Sequence, residues 1–129
     1  MKPPKGLKIS EERIGEGPHA MPGDEVTYDY ECRYNNGELI ADSTLYGPYH
    51  YRLGCREAAV GIEYGLMGMR KNGVRIVRVP PHLTYVDRQI NPEIPEKAQI
   101  IYTLKLLKVL PPWDPEMRHR LDCAKIIMS

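Results

Sequence analysis

Leu53-Gly-Cys-Arg-Glu-Ala-Ala-Val-Gly-Ile-Glu-Tyr-Gly-Leu-Met-Gly-Met69 is the stretch on which the fold turns. Its apolar residues Ala58, Ala59, Ile62 and Leu66 fall on one face of a helix. Gly54 and Gly65 bracket it as a turn and a C-terminal stop. A helix of about two turns is unstable alone and needs a sheet on which to bury its apolar stripe. Strand-like sequence lies on both sides. The expectation is a curved sheet wrapped around this helix, with function at the seam between them.

Working outward, residues Val26 to Tyr34 alternate strictly. Val26, Tyr28, Tyr30, Cys32 and Tyr34 share one face, and Thr27, Asp29, Glu31 and Arg33 share the other. Asn35-Asn36-Gly37 is a hairpin signal, returning through Glu38 to about Asp42. Leu7 and Ile9 mark a short first strand, and Tyr49 to Leu53 alternate again. Val74 to Val79 reads as a strand ended by Pro80-Pro81. Leu83-Thr84-Tyr85 leads into a loop through Pro95, because Pro92 and Pro95 forbid a central strand. Ala98 to Val109 is the last strand. Ile101 and Leu107 on its second face predict cover on both sides, as for a central strand.

Leu110-Pro111-Pro112-Trp113 breaks that pattern. Asp114 then stands as an N-cap with Pro115 at the first helical position, and Met117, Leu121, Ala124 and Met128 follow at helical spacing. The expected organisation is one domain over residues 1–110 and a tail over 111–129 that holds a short C-terminal helix. The class is α+β, dominated by antiparallel sheet.

Composition narrows the function. A chain of 129 residues is enough for one domain with a real core. Its 18 Lys and Arg balance 17 Asp and Glu, for a net charge of +1. That argues against a nucleic-acid or electrostatic membrane partner, both of which need a concentrated basic face. No apolar run approaches a membrane span, and no apolar segment follows the basic first residues, so the expected location is cytoplasmic. Cys32, Cys55 and Cys123 are too widely spaced for a disulfide framework and read as reduced thiols. The four histidines lack metal-site spacing; no metal and no cofactor is expected. Nine tyrosines and no phenylalanine suggest aromatic edges facing a wet cleft.

Several landmarks fall in one order. Gly15-Glu16-Gly17 leads to Pro22-Gly23-Asp24-Glu25-Val26, then Tyr30, Asn36-Gly37 and Ala41-Asp42-Ser43. Tyr51-Arg52-Leu53-Gly54, Gly65-Leu66-Met67-Gly68-Met69 and Asn72-Gly73 follow, then Val79-Pro80-Pro81, Leu83-Thr84-Tyr85, Ile94-Pro95 and Tyr102 to Leu107. This series resembles the FKBP family of peptidyl-prolyl cis–trans isomerases over about residues 6–110. The resemblance implies a half-wrapped, five- to six-stranded antiparallel sheet around one short helix. It implies action on X-Pro bonds in proline-containing polypeptides, in aid of protein folding, and macrolide binding that is expected to be weak.

By the same resemblance, Tyr30, Asp42, Tyr85 and Tyr102 are the candidate catalytic residues, and Ile40, Tyr49, Ala58, Ala59 and Ile62 line the proline pocket. The chain departs from the family pattern at several of these. Ile62 stands for the usual tryptophan floor, Ile40 for a phenylalanine, and Ala58-Ala59 for valine-isoleucine. The usual aspartate aligns with Ala41, so Asp42 is either a turn-forming side chain or the site carboxylate. A widened pocket implies isomerase activity that is weakened, or lost with proline binding retained. The alternative to an enzyme is thus a catalytically inactive protein-binding module.

Overall fold

The computed structural model describes residues 3–44 and 47–111. The strands are β1 (Lys8–Arg13), β2 (Glu25–Tyr34), β3 (Leu39–Asp42), β4 (Tyr49–Arg52), β5 (Val74–Val79) and β6 (Ile100–Leu110). Two short helices join them, α1 (Val60–Leu66) and α2 (Tyr85–Ile90), with a 3₁₀ turn at Pro81–Leu83. The expected C-terminal helix falls on residues outside those described.

All strand pairs are antiparallel, in the order β1-β5-β6-β2-β3. β4 also pairs with β2, setting Tyr49 opposite Tyr28 and Tyr51 opposite Val26. β6 lies between β5 and β2, the central place expected from its two apolar faces. The inward face of β6 carries Ile100, Tyr102, Leu104 and Leu106, all buried. α1 packs across β5 and β6, and its Leu66 is buried in the same core as Val77 and Leu104. Full burial of each such aliphatic side chain contributes about 1.5–3 kcal/mol.

Gly65 does not stop α1 but lies inside it. A Cβ there would stand 2.6 Å from Leu104 Cδ1 and 2.7 Å from Val77 Cγ2. The position is therefore small because the helix approaches the sheet closely. The chain leaves the helix through Gly68, whose φ is +81°. Arg75, on the inward face of β5, ends the helix from outside. Its Nη1 donates to the carbonyls of Gly65 at 3.0 Å and Met67 at 2.6 Å, while Nε pairs with Glu11. Carbonyls left open at a helix C-terminus are thereby satisfied by a side chain from the sheet.

The segment expected to be a loop after Thr84 contains α2. Residues 85–90 coil because Thr84 and the Pro81 turn start them helically: Arg88 N–H donates to Thr84 O at 2.9 Å, and Thr84 Oγ1 donates to Pro81 O at 2.8 Å. The helix ends before Pro92, as the proline requires.

Candidate functional site

A cleft of about 340 Å³ opens at the seam between the sheet and α1, flanked by α2. Tyr30 is its hub. The Tyr30 ring stands 5.1 Å from Tyr49 in an edge-on arrangement, 6.1 Å from Tyr102 and 6.3 Å from Tyr28, centroid to centroid. These are normal distances for favourable aromatic pairs. Alternation positions them: Tyr28 and Tyr30 share the inward face of β2, Tyr102 stands opposite Cys32 on β6, and Tyr49 is held beside Tyr28 by β4. Ile62 of α1 faces the rings, with Ala58 and Ala59 ahead of it.

The segment that carries those alanines is held by Tyr51. Its hydroxyl oxygen accepts the N–H groups of Glu57 at 3.0 Å and Ala58 at 3.3 Å. Burial, with buried Glu63 nearby, pushes the Tyr51 phenol well above its usual range. Glu63 Oε1 in turn accepts the Gly54 N–H at 2.9 Å. Tyr51 and Glu63 thus tie both ends of the 54–59 segment to the core.

On the opposite wall, Tyr102 donates its hydroxyl hydrogen to Asp87 Oδ1. Asp87 is only 2% exposed, and burial raises its carboxyl above the ordinary value. Burial and the adjacent Asp87 raise the Tyr102 phenol as well. Burial pushes the Cys32 thiol up to about 12, which makes it a packing group and not a nucleophile. Burial, followed by the neighbouring Tyr49 hydroxyl, holds the Tyr30 phenol far above neutrality. The phenols are neutral donors and apolar walls.

Of the residues singled out from sequence, Tyr30, Tyr49, Ala58, Ala59, Ile62 and Tyr102 all line this cleft. Ile40, Asp42 and Tyr85 are not among its lining residues. A bulge explains the first two. Cys32 pairs with Ala41 and Arg33 with Leu39, so Ile40 is the extra residue. Ala41 then lines the cleft while Asp42, opposite Glu31, turns the other way. The Asp42 carboxylate accepts the Thr44 hydroxyl at 2.6 Å and the Thr44 N–H at 3.2 Å, a turn-forming pattern. Tyr85 is 50% exposed. Residues two apart on a helix point about 200° apart, so burying Asp87 turns Tyr85 outward.

Sequence reasoning passed over Asp87, Tyr51 and Glu63. Thr84-Tyr85-Val86-Asp87 has the threonine-to-acid spacing of a helix start, and that signal would have placed Asp87 on a helix. No such signal marks Tyr51 or Glu63. Among the described residues no group of His, Cys, Asp or Glu could hold a metal ion.

A half-wrapped antiparallel sheet, a short helix on its concave side and an aromatic cleft at the seam define the class of prolyl-isomerase folds related to FKBP. The chain belongs to the FKBP-type peptidyl-prolyl cis-trans isomerase family, whose model matches residues 17–107. It is 32% identical over 109 residues to FK506-binding protein 4 of Aspergillus fumigatus, covering 84% of this chain and 22% of that protein. It is also 32% identical over 108 residues to FK506-binding protein 4 of Mycosarcoma maydis, covering 84% of this chain and 28% of the relative. The chain thus spans roughly a quarter of the length of these relatives. Among solved structures, FkpA from Escherichia coli superposes with a TM-score of 0.71 at 27% identity, covering 85% of this chain and 51% of FkpA. AtFKBP13 superposes with a TM-score of 0.70 at 25% identity, covering 82% of this chain and 94% of AtFKBP13.

Proposed function

We propose that this chain catalyses cis–trans isomerisation of X-Pro bonds in polypeptides, as a folding helper in the cytoplasm. Among the described residues no helix is long and apolar enough to cross a membrane. The observation that carries the reading is the cleft itself, an apolar seam walled by tyrosine rings over Ile62. We read residues 1–110 as the catalytic domain.

The uncatalysed rotation has a barrier of about 18–20 kcal/mol and takes tens to hundreds of seconds. The twisted transition state has lost amide resonance, so its carbonyl is less polar than that of the planar amide. A dry site favours the twisted form, and neither a nucleophile nor an acid is required. A 10³-fold acceleration asks for only about 4 kcal/mol of differential binding. The proline ring would lie over Ile62 between Tyr30 and Tyr102. The backbone N–H of Ala59 would donate to a substrate carbonyl. A macrolide would enter the same cleft, weakly, because Ile62 offers less contact than a tryptophan.

A second reading is a proline-binding module without catalysis. It is favoured by the outward Tyr85 and by the small Ala58, Ala59 and Ile62, which hold a proline ring loosely. Positioning accounts for much of catalysis. The test is isomerisation of Ala-Leu-Pro-Phe followed by NMR exchange, with an Ile62→Trp variant alongside. Catalysis by the wild type is expected, with kcat/KM raised about tenfold in the variant as the floor closes on the ring. A silent wild type with an active variant would replace the enzyme by the binding module. Silence from both, with no peptide-induced shifts at the tyrosines, would end both readings.

A further inference from the structure

The cleft holds a charge asymmetry that proline recognition does not use. Among the described residues, five tyrosines and two carboxyl residues, Asp87 and Glu57, line it, and no lysine or arginine does. Asp87 is the unusual member. It is 2% exposed, its Oδ1 takes the Tyr102 hydroxyl, its Oδ2 accepts no hydrogen bond from another residue, and the neighbouring Arg88 acts on it through its charge. Burying a carboxylate with half its acceptor capacity unused is costly. Such a cost is offset when a bound cation completes the site. Tyrosine faces attract cations as well, through the negative face of the ring. His50, at the mouth, bonds Thr27 Oγ1 at 3.0 Å.

We propose that Asp87 and the tyrosine wall make this site selective for a cationic side chain, lysine or arginine, flanking the substrate proline. This rests on the isomerase reading of the same cleft. The proline ring takes the apolar end over Ile62, and the ammonium or guanidinium group settles among the rings towards Asp87. The exposed Ile90 at the rim then covers the aliphatic stem of that side chain. Asp87 is a specificity residue that acts on the ground and transition states alike, so its effect appears in KM and in binding.

The test uses matched peptides carrying lysine, Nε-acetyl-lysine, norleucine or glutamate beside the proline, on either flank. Binding is read by calorimetry and isomerisation by NMR exchange. The expected result is at least about a fivefold preference for lysine over norleucine and acetyl-lysine, with glutamate weakest. In Asp87→Asn the preference for lysine over norleucine should vanish, whereas Glu57→Gln should retain it. Equal handling of lysine and its neutral analogues by the wild type overturns the proposal, whatever the variants do. So does a preference that survives Asp87→Asn and disappears in Glu57→Gln. Turnover of every peptide without a charge preference rejects the selectivity and leaves the isomerase reading standing. Failure on every peptide removes both.

Discussion

At the residue scale, the site is governed by how burial sets protonation. Asp87 sits beside a phenol inside the protein, and burial outweighs the Tyr102 hydrogen bond in raising its pKa above the ordinary 3.8. A carboxyl whose folded-state pKa is raised contributes its full stability below the unfolded value. That contribution is lost as pH rises through the folded value. The unfolding free energy of the wild type, taken relative to Asp87→Asn, should therefore fall as pH rises from the ordinary 3.8 through the raised folded value. Urea titrations at a series of pH values measure it; a flat or rising difference would contradict a buried, raised carboxyl. The tyrosines around Tyr30 were legible in the sequence because period-two alternation assigns a side chain to a face without reference to anything distant. Asp87 was not, because its burial depends on which way a six-residue helix is rolled. That roll goes with the hydrogen bond from Tyr102 of β6, 15 residues on and outside the helix's own local pattern.

At the element scale, the pose of α1 on the sheet is set by two devices. The first is absence of a side chain at Gly65. A Gly65→Ala change should cost about 1–3 kcal/mol by forcing Leu104 and Val77 apart, read as a lower urea midpoint at unchanged slope. An alanine tolerated without loss would mean that the helix can ride higher on the sheet than it does. The second device is Arg75, whose fork closes the helix end. Arg75→Met keeps the aliphatic stem and leaves the Gly65 and Met67 carbonyls without that donor, at about 1–3 kcal/mol. Arg75→Lys should recover only part, since one ammonium does not reproduce the planar guanidinium. Thermal melts of the three proteins compare these directly, and equal melting temperatures for Met and Arg would remove the capping role. From the sequence, Gly65 looked like a stop, which is a local reading, and nothing marked Arg75 as a cap. The carbonyls that Arg75 serves and the side chains that crowd Gly65 belong to other elements.

At the scale of the whole molecule, β6 is the keel. It pairs along its length with β2 on one side and through Ile100 to Lys105 with β5 on the other, and α1 rests on it. The edge strands β1 and β3, the short β4 and the peripheral α2 have fewer partners. Native-state hydrogen exchange should therefore show the slowest amides in β6 and the facing parts of β2 and β5. Amides of α2 should exchange by local opening, at far lower protection. If α2 exchanges only with global unfolding, it is part of the core and Asp87 is held more rigidly than its position implies.

The sequence by itself determined where the strands lie, the hairpin at Asn36-Gly37, the central place of β6, the short helix, and which face of its strand carries each of Tyr28, Tyr30 and Tyr102. Each follows from periodicity or turn chemistry, which act over a few residues. Tertiary structure alone decided that Ile40 is bulged and Asp42 turned away, that Tyr85 faces outward, and that Asp87 enters the cleft. A bulge or a helix roll changes a side chain's destination without changing the local pattern. What selects among those destinations is packing between segments that are distant in the chain and touch only once it is folded.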